Sequence, residues 1–557
     1  DHAPGGADRG SGRRGDRAVA GARGGAYVRR GARVAPVSTS SPTPVPVPSA
    51  PAAVQADRSF FGHPRGLSLL FFAEMWERFS YYGMRAILVL YLVNALGWSG
   101  EDASRLYGTY TGLVYLTPLV GGWLADRFIG TRRSLVIGGV IIAAGHFALA
   151  FASMTMFYIG LALVVIGTGF FKPNVSAMVG QLYADGDPRR DAGFTIFYMG
   201  INTGAFLAPL ICGFLAEDPR FGWHVGFGAA GVGMVIGLLA FLWGRDRLLP
   251  GVGLAPAHRH DAEVAAEIGE LGVPDYRSAG TIGALAGLTV AVLGGAARWT
   301  TIGFVPWLLS LGGIMSIAFG TLIGASFAIP LFATRGEERK RVLALFLVFF
   351  FVTFFWLVFE QAGSSLTLFA DRDTDRTQGA ALLGLAQIPA SWFQSIQPIS
   401  IIVLAPVAAW CWGVLGRRGK EPSTAMKMVI GLFFGGLGFF LLIFAGQAVD
   451  AGLKVAPLWL VATYVCHTIG ELALSPVGLS YVTKVAPAQF VSLFMGAWFL
   501  ALSAANFLGG LQAGLMDTIP SRADFFKIPT ATAWIAGLVM LLLVPLLTRL
   551  TRSAPGA

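Results

Sequence analysis

Long apolar runs recur from residue 67 almost to the end of the chain, and short polar stretches separate them. A helix needs about 20 mostly apolar residues to cross a bilayer, and two groups of six runs meet this length. The predicted spans are 67–95, 104–127, 132–153, 156–182, 193–216 and 222–244, then 340–369, 389–416, 424–446, 456–484, 488–516 and 529–549. Two more apolar runs, 279–297 and 302–333, lie between the groups. The pattern therefore predicts an all-α polytopic membrane protein with 14 transmembrane helices.

The same pattern divides the chain into four segments. Residues 1–56 are rich in Gly, Arg, Ser and Pro, which predicts a disordered basic tail with a Pro-rich linker. A six-helix bundle at 67–244 follows, then a linker with the two extra helices at 245–339, then a second six-helix bundle at 340–550. Six helices plus six is the plan of transporters whose site lies between two pseudo-symmetric halves.

Composition supports this class. Charged residues make up 13% and hydrophobic residues 55% of the chain, whereas a soluble domain has about 25% charged residues. The net charge of +10 lies in the tail and the loops, so we expect no nucleic-acid partner. The three cysteines lie inside apolar runs without metal-ligand spacing, and we expect no metal and no bound cofactor.

The loops predict the orientation. RFIGTRRS, TRGEERKR and GRRGKEPS are basic, whereas WSGED and AEDPRF on the alternate side are acidic or balanced. Lys and Arg accumulate in cytoplasmic loops. Both termini are therefore predicted to lie in the cytoplasm. The predicted location of the protein is the inner (plasma) membrane.

The first apolar run contains charges that lipid would exclude. LFFAEMWERFSYYGMRAILVLYL at 70–92 places two acids, two bases and two phenols on one helical stripe, namely Glu74, Glu77, Arg78, Tyr81, Tyr82 and Arg85. Ionisable groups inside a membrane face a cavity or a protein interior and mark functional sites. We expect the stripe to line a water-filled cavity; the alternative is a buried ion-pair network that only joins helices.

Other polar residues inside the spans extend the candidate site. Lys172 in GTGFFKPNVSAM is followed by Pro173, which breaks or kinks a helix, and a lysine there either needs an acidic partner or is neutral. Glu74 and Glu77 are the expected partners. Asn202 in FTIFYMGINTGAF either bonds a substrate amide or packs in the core. In GGWLADRFIGTRRSL, Asp126 at a helix end suits a conformation-dependent gate.

Several of these motifs resemble the proton-dependent oligopeptide transporter (POT) family of the major facilitator superfamily. EMWERFSYYGMR is similar to the family motif E-x-x-E-R-F-x-Y-Y-G, and GGWLADRFIG, GFFKPNVS, FYMGINTG, FWLVFEQAGSSLTLFADR, GELALSPVGLS and GAWFLALS follow in the family's order. The resemblance covers about residues 60–550. It implies the major facilitator fold with two inserted helices, and proton-coupled import of di- and tripeptides.

The resemblance also implies roles for matching positions. Proton coupling is implied for Glu74, Glu77, Arg78, Lys172 and Glu360. The peptide carboxylate would meet Arg85 and Lys172, and its amino group would meet Glu471. The remaining residues implied in substrate binding are Tyr81, Tyr82, Tyr115, Asn202, Trp356, Gln397, Ser475 and Trp498. A gate is implied for Arg85 with Glu360, and one departure is Gln397, which stands where the family usually has Asn before Pro.

The residues themselves favour the same function. Two cations in the first half and two acids in the second half make a dipolar pocket suited to a zwitterionic peptide. No metalloprotease, serine hydrolase or P-loop motif is present, so we expect a secondary transporter, not an enzyme, that works as a monomer and is driven by protons. The alternatives are the same fold carrying another small solute, such as nitrate, a drug or a peptide-like compound, and a membrane enzyme or receptor.

Overall fold

The computed structural model describes residues 51–184, 186–254, 276–294, 306, 311–487 and 490–551. These residues all belong to one compact unit that spans Pro46–Ala557. Within the described ranges the elements are helices, and the only pairings of β type are two isolated bridges. Most of the predicted tail, 1–50, and most of the polar linker, 255–275, lie outside the described residues.

The first half of the molecule consists of a short helix and six long ones. Their bounds are α1 Ala52–Ala56, α2 Gly66–Leu90, α3 Gly100–Leu124, α4 Thr131–Leu149, α5 Met154–Gln181, α6 Arg190–Glu217 and α7 Trp223–Leu248. A π-helical turn extends α2 over Tyr91–Ala95, and another extends α3 over Ala125–Ile129. The six long helices lie within a few residues of their predicted positions. Pro173 does not break α5, which continues to Gln181.

The second half follows two inserted helices. The inserted pair is α8 Tyr276–Gly294 and α9 Leu311–Ala333, and the later helices are α10 Gly336–Phe359, α11 Ser365–Arg372, α12 Ile396–Arg417, α13 Thr424–Asp450, α14 Leu458–Val485, α15 Val491–Thr518 and α16 Arg522–Thr551. The predicted span 340–369 lies within one apolar segment long enough to cross a membrane, Gly336–Arg372. This segment is not one continuous α-helix, because α10 ends at Phe359 and a 3₁₀ turn, Glu360–Gly363, separates it from α11. A second 3₁₀ segment, Ala390–Ser395, precedes α12.

Among the described residues, 11 helices are long and apolar enough to cross a membrane. The predicted number of 14 is not reached by this measure. Glu74, Glu77, Arg78 and Arg85 lower the apolar character of α2, and the apolar part of α8 is limited to Gly280–Thr289. The multi-pass helical architecture is confirmed, and the number 14 stays a prediction.

Packing within each half is dense, and several helix contacts join the halves. In the first half α2 packs on α6 and α7, and α4 packs on α5; in the second half α13 packs on α14 and α16. Helix α3 crosses to α15, and α6 crosses to α12. The α3–α15 contact depends on glycine, because a Cβ atom on Gly108 would lie 2.6 Å from the Cα of Gly510. Small residues allow such close approach of helix backbones in membrane proteins.

The segment before α2 is folded, which corrects the prediction of disorder up to residue 56. Val54 on α1 is buried in a cluster with residues of α2 and the loop after α7. Arg189, in the loop between α5 and α6, donates hydrogen bonds to the carbonyls of Gln55 at 2.7 Å and Gly62 at 3.2 Å. His63 pairs with the hydroxyl of Tyr183 at 2.9 Å. The chain from residue 51 onward is therefore part of the folded bundle.

Candidate functional site

The charged stripe of α2 divides into two clusters at different depths. The first cluster is an ion-pair triad in which Arg78 Nε lies 3.0 Å from Glu74 Oε1 and 2.5 Å from Glu77 Oε2. The spacing of three and four residues on one helix places the acids beside the base. All three side chains are at most 3% exposed. They do not line the cavity described below, so the expectation that the whole stripe faces water is wrong for this triad.

The second cluster joins the two halves. Arg85 Nη2 lies 2.7 Å from Glu360 Oε2, and the two side chains are 6% and 4% exposed. Arg85 also donates from Nε to the hydroxyl of Tyr107 on α3. The guanidinium lies 5.5 Å from the ring centre of Tyr82, within the range of a cation–π contact. Glu360 directly follows the end of α10 and begins the 3₁₀ turn Glu360–Gly363.

A cavity of about 170 Å³ lies between the halves next to this ion pair. Seven predicted binding residues line it, namely Tyr82, Arg85, Tyr115, Asn202, Trp356, Gln397 and Glu471. The first four come from the first half and the last three from the second. Phe359, Pro209 and Ile201 supply apolar wall, so the cavity combines a few convergent polar groups with an apolar and aromatic lining, as ligand sites do.

Glu471 of α14, the second acid on the cavity wall besides Glu360, is held by neutral donors. Gln397 of α12 donates from Nε2 to Glu471 Oε2 at 2.6 Å, and the hydroxyl of Tyr198 on α6 donates to Oε1 at 3.4 Å. Asn202 donates to the carbonyl of Tyr198 at 2.9 Å, one turn earlier on α6. The carboxylate is thus positioned by both halves of the molecule.

Lys172 does not contact the acids that the sequence suggested. In the described part of the chain no carboxylate oxygen lies within 4.0 Å of its ammonium group, which corrects the predicted pairing with Glu74 or Glu77 at contact distance. Its Nζ instead lies 4.1 Å from the ring centre of Tyr115 and 5.9 Å from that of Phe499. Lys172 therefore lies behind a residue of the cavity wall and does not line the cavity.

Three other predicted wall residues lie outside the cavity lining. Tyr81 is 2% exposed with its ring beneath Arg78, and Trp498 is 3% exposed and packs against Gly478. Ser475 is not on the wall either, and its buried hydroxyl has no hydrogen-bond partner among the described residues. Asp126 lies in the π-helical turn after α3 with an exposed side chain.

Sequence reasoning missed three contributors. Tyr107 bonds Arg85, Tyr464 lines the cavity, and Gln394 lines it while donating to Thr367 Oγ1 at 2.8 Å and to the carbonyl of Ala86 at 3.3 Å. They lie on three separate elements, namely α3, α14 and the 3₁₀ segment Ala390–Ser395, and share no periodic signal. Their positions depend on contacts between helices far apart in the sequence.

One face of the molecule is closed by bonds between the halves. We call the face where α2 begins the N-terminal face. The face closed by these bonds, where α2 ends, is called the opposite face. Glu217 at the end of α6 accepts hydrogen bonds from the backbone amides of Ala390 at 2.7 Å and Ser391 at 2.9 Å. Asp517 at the end of α15 accepts from the amide of Gly100 at 2.5 Å.

Comparison with known proteins decides the family. The POT family model matches residues 132–249 and 307–535. The chain belongs to the POT family. It is 41% identical over 504 residues to the uncharacterized transporter YclF of Bacillus subtilis (strain 168), with 88% of this chain and 96% of the relative covered.

Two further POT relatives are similar over nearly their whole length. The peptide transporter YePEPT of Yersinia enterocolitica is 37% identical over 517 residues, which is 90% of this chain and 97% of the relative. A crystal structure of a peptide transporter POT in complex with sulfate is 37% identical, with a TM-score of 0.74, and covers 90% of this chain and 99% of that one. The POT fold of the chain, and its place among multi-pass membrane transporters, are confirmed.

Proposed function

We propose that this POT protein is a proton-coupled symporter that imports di- and tripeptides by alternating access. The observation that carries the proposal is the cavity between the halves, with Arg85 and Glu360 at one part of its wall and Glu471 at another. A zwitterionic peptide presents one anion, one cation and amides. A site with separated cationic and acidic groups and an aromatic wall binds these shared features and tolerates varied side chains.

The bound peptide lies with its carboxylate toward Arg85 and its amino group toward Glu471. Lys172 adds positive charge from behind Tyr115 without lining the cavity. Tyr82, Tyr115 and Trp356 then contact the side chains, and Asn202 lies beside the peptide backbone. Among the bacterial relatives, YePEPT is named a peptide transporter, which supports a peptide as the cargo. The two halves of one chain enclose the cavity, so a monomer is sufficient for transport.

Protons supply the driving force in this proposal, with no metal or bound cofactor. Protonation of Glu360 removes the charge that pairs with Arg85, which weakens the closure of the opposite face. Glu74, Glu77 and Arg78, with Lys172 nearby on α5, form the second titratable group through which proton and peptide binding are linked. Asp126, in the turn after α3, belongs to the gate at the N-terminal face.

The orientation of the protein in the membrane follows from the distribution of basic residues. Arg132 and Arg133 at the start of α4, and Arg339, Lys340 and Arg341 at the start of α10, all lie at the N-terminal face. Positive residues in short loops remain on the cytoplasmic side. We therefore place both termini in the cytoplasm, the opposite face outside, and the protein in the inner (plasma) membrane.

Uptake of labelled dialanine into proteoliposomes tests the proposal. With an acidic exterior we expect accumulation above the external concentration, and a protonophore should reduce it to simple equilibration. Competition by unlabelled tripeptide, but weak competition by free alanine or nitrate, is expected from a site that reads both peptide termini. Equal uptake with and without a pH gradient would refute proton coupling, and nitrate uptake without dialanine uptake would refute the peptide as substrate.

A further inference from the structure

Helix α7 turns one apolar side toward the lipid. Large apolar residues recur on that side at intervals of seven, four, three and four positions, which keeps them on one face of a helix. Each of these residues is between 38% and 73% exposed, so no described helix covers this face. The members of this lipid-facing stripe are Val225, Val232, Ile236, Leu239 and Trp243.

The lipid-facing stripe is about as long as the apolar core of a bilayer is thick. Val225 and Trp243 are 18 residues apart, which is about 27 Å along an α-helix, and the hydrocarbon core measures about 30 Å. Helix α7 ends at the N-terminal face, because a Cβ atom on Gly66, where α2 begins, would lie 2.8 Å from the carbonyl oxygen of Leu248. Trp243 therefore lies at the boundary of the hydrocarbon on that face, a level at which tryptophan is enriched in membrane proteins.

Arg247 lies one helical turn beyond Trp243, at the level of the lipid headgroups. Its guanidinium is 5.6 Å from the centre of the Trp243 ring, within the range of a cation–π contact. The neighbouring acid, Asp246, instead lies 3.1 Å from Arg132 and 3.7 Å from Arg245. In the described part of the chain, no carboxylate oxygen lies within 4.0 Å of the exposed Arg247 side chain.

The end of α7 that carries this pair is held in place. Arg132, at the start of α4, donates from Nε to the carbonyl of Val252 at 2.9 Å and from Nη1 to Asp246 at 3.1 Å. It also donates to the carbonyl of Leu249, the residue directly after α7. Trp243 and Arg247 are therefore presented to the membrane from a fixed helix end.

The opposite face carries a similar pair with a different charge balance. The guanidinium of Arg220, in the loop before α7, lies 5.6 Å from the ring centre of Phe221. Its Nη2, however, lies 2.6 Å from Oδ2 of Asp218. The charge of Arg220 is thus compensated by the protein, whereas that of Arg247 has no acidic partner among the described residues.

We propose that Trp243 and Arg247 form a docking site for an anionic phospholipid, such as phosphatidylglycerol, in the leaflet at the N-terminal face. The guanidinium donates to the headgroup phosphate, the indole lies at the glycerol level, and Leu239 contacts the acyl chain. Phosphatidylcholine carries the same phosphate, but its own ammonium group compensates that charge. One basic residue near the membrane surface favours an anionic lipid by about fivefold. This inference does not depend on what the protein transports.

Quenching of Trp243 fluorescence by brominated lipid tests the proposal. The full chain is reconstituted in phosphatidylcholine vesicles that contain, at equal mole fraction, phosphatidylglycerol or phosphatidylcholine with acyl chains brominated near the headgroup. Because the chain has 14 tryptophans, the Trp243 signal is the difference between each protein and its Trp243→Phe counterpart. In the parent, brominated phosphatidylglycerol should occupy the site about fivefold more strongly than brominated phosphatidylcholine. In Arg247→Gln, the two lipids should quench equally.

Two further measurements keep the test decisive. Arg220→Gln is the matched control, because it removes a cation beside an aromatic ring on the opposite face, and the lipid preference at Trp243 should stay at the parent value. Salt at 1 M shortens the Debye length to about 3 Å and should remove most of the preference in the parent. The salt measurement needs no variant of Arg247, so it remains available if Arg247→Gln does not fold.

Equal quenching by the two lipids in the parent would refute the proposal. A preference that survives Arg247→Gln, or that 1 M salt leaves unchanged, would also refute it, since the charge of Arg247 would then not select the lipid. Loss of the preference in Arg220→Gln would assign it to the net charge of the protein and overturn the site. Dialanine uptake is measured separately, so failure of the proposed function would leave the lipid result unchanged.

Discussion

Arg85 of α2 and Glu360 at the end of α10 form an ion pair of 2.7 Å that joins the two halves beside the cavity. Both side chains are nearly inaccessible to solvent, and a third group, the hydroxyl of Tyr107, holds the guanidinium. Removing one member of a buried pair costs about 3–5 kcal/mol, because the other charge is left uncompensated. The pair can therefore control whether the opposite face stays closed.

We predict that Glu360→Gln opens the opposite face and makes uptake less dependent on external pH. The neutral amide resembles the protonated acid, so the closed state loses its charge pairing at every pH. Distances between spin labels at the opposite-face ends of α2 and α10 should lengthen in the variant and resemble those of the parent at low pH. Distances that match the parent at both high and low pH would show that Glu360 has no part in the gate.

A surface pair at the start of α16 provides the control for this experiment. Lys527 and Asp524 lie 2.7 Å apart, and their side chains are 61% and 60% exposed. Such exposed pairs contribute about 0–1 kcal/mol. Lys527→Gln should therefore leave the label distances and the pH dependence of uptake close to those of the parent.

The buried triad leads to a second prediction. Glu77→Gln should abolish proton-driven accumulation of dialanine and leave exchange of labelled for unlabelled peptide measurable. The reason is that Glu77 lies outside the cavity lining, so the substrate site survives while one protonation site is lost. Counterflow and pH-driven uptake, measured on the same vesicles, separate the two activities; undiminished accumulation against a gradient would contradict the assignment.

The sequence predicted the residues that follow a period or a motif. The α2 stripe was recognised because its spacing matches a helix, and the joining of Arg85 to Glu360 was expected from their similar depth along α2 and α10. The break at Glu360 was not predicted, because the apolar run continues through it without Pro and with only one Gly.

The contacts that the sequence did not predict are mainly those between elements far apart in the chain. Tyr107 and Gln394 carry no local signal, since their partners, Arg85 and the carbonyl of Ala86, are placed by packing between helices. Lys172 was paired with Glu77 on charge alone, yet Arg78 already occupies both acids of α2. Composition also hid the folded part of the tail, because Val54 is the one large apolar residue between Val47 and Phe60, in a stretch rich in Pro and Ala.

The folded segment before α2 gives a third prediction. Deleting residues 1–50 should leave transport intact, whereas deleting residues 1–65 should lower both thermal stability and uptake. The second deletion removes Val54 from its cluster and leaves Arg189 without its backbone acceptors. Hydrogen bonds from a charged group contribute about 1.5–3 kcal/mol each.

Two single substitutions separate this packing from the loss of chain length. Arg189→Ala in the full chain should lower the melting temperature of the detergent-solubilised protein, as the longer deletion does. Arg190→Ala is the matched control. The side chain of Arg190 is exposed, and it donates no hydrogen bond to the described segment before α2. Equal melting temperatures for both variants and the parent would show that the segment does not brace the bundle.

The final prediction concerns the glycine contact between the halves. A Cβ atom on Gly108 of α3 would lie 2.6 Å from the Cα of Gly510 and 2.7 Å from the carbonyl oxygen of Asn506, both of them backbone atoms of α15. Backbone cannot move aside as a side chain can, and overpacking of this kind costs about 1–3 kcal/mol. Gly108→Ala should therefore hinder closure of the opposite face and slow uptake, while each half stays folded. Spin labels at the opposite-face ends of α3 and α15 should report a longer distance.

Gly228→Ala on α7 is the control, since the nearest atom to its added Cβ is the Cβ of Ala150 at 3.7 Å, an ordinary contact. Unchanged label distances and unchanged uptake in Gly108→Ala would mean that the α3–α15 contact does not limit the closed state.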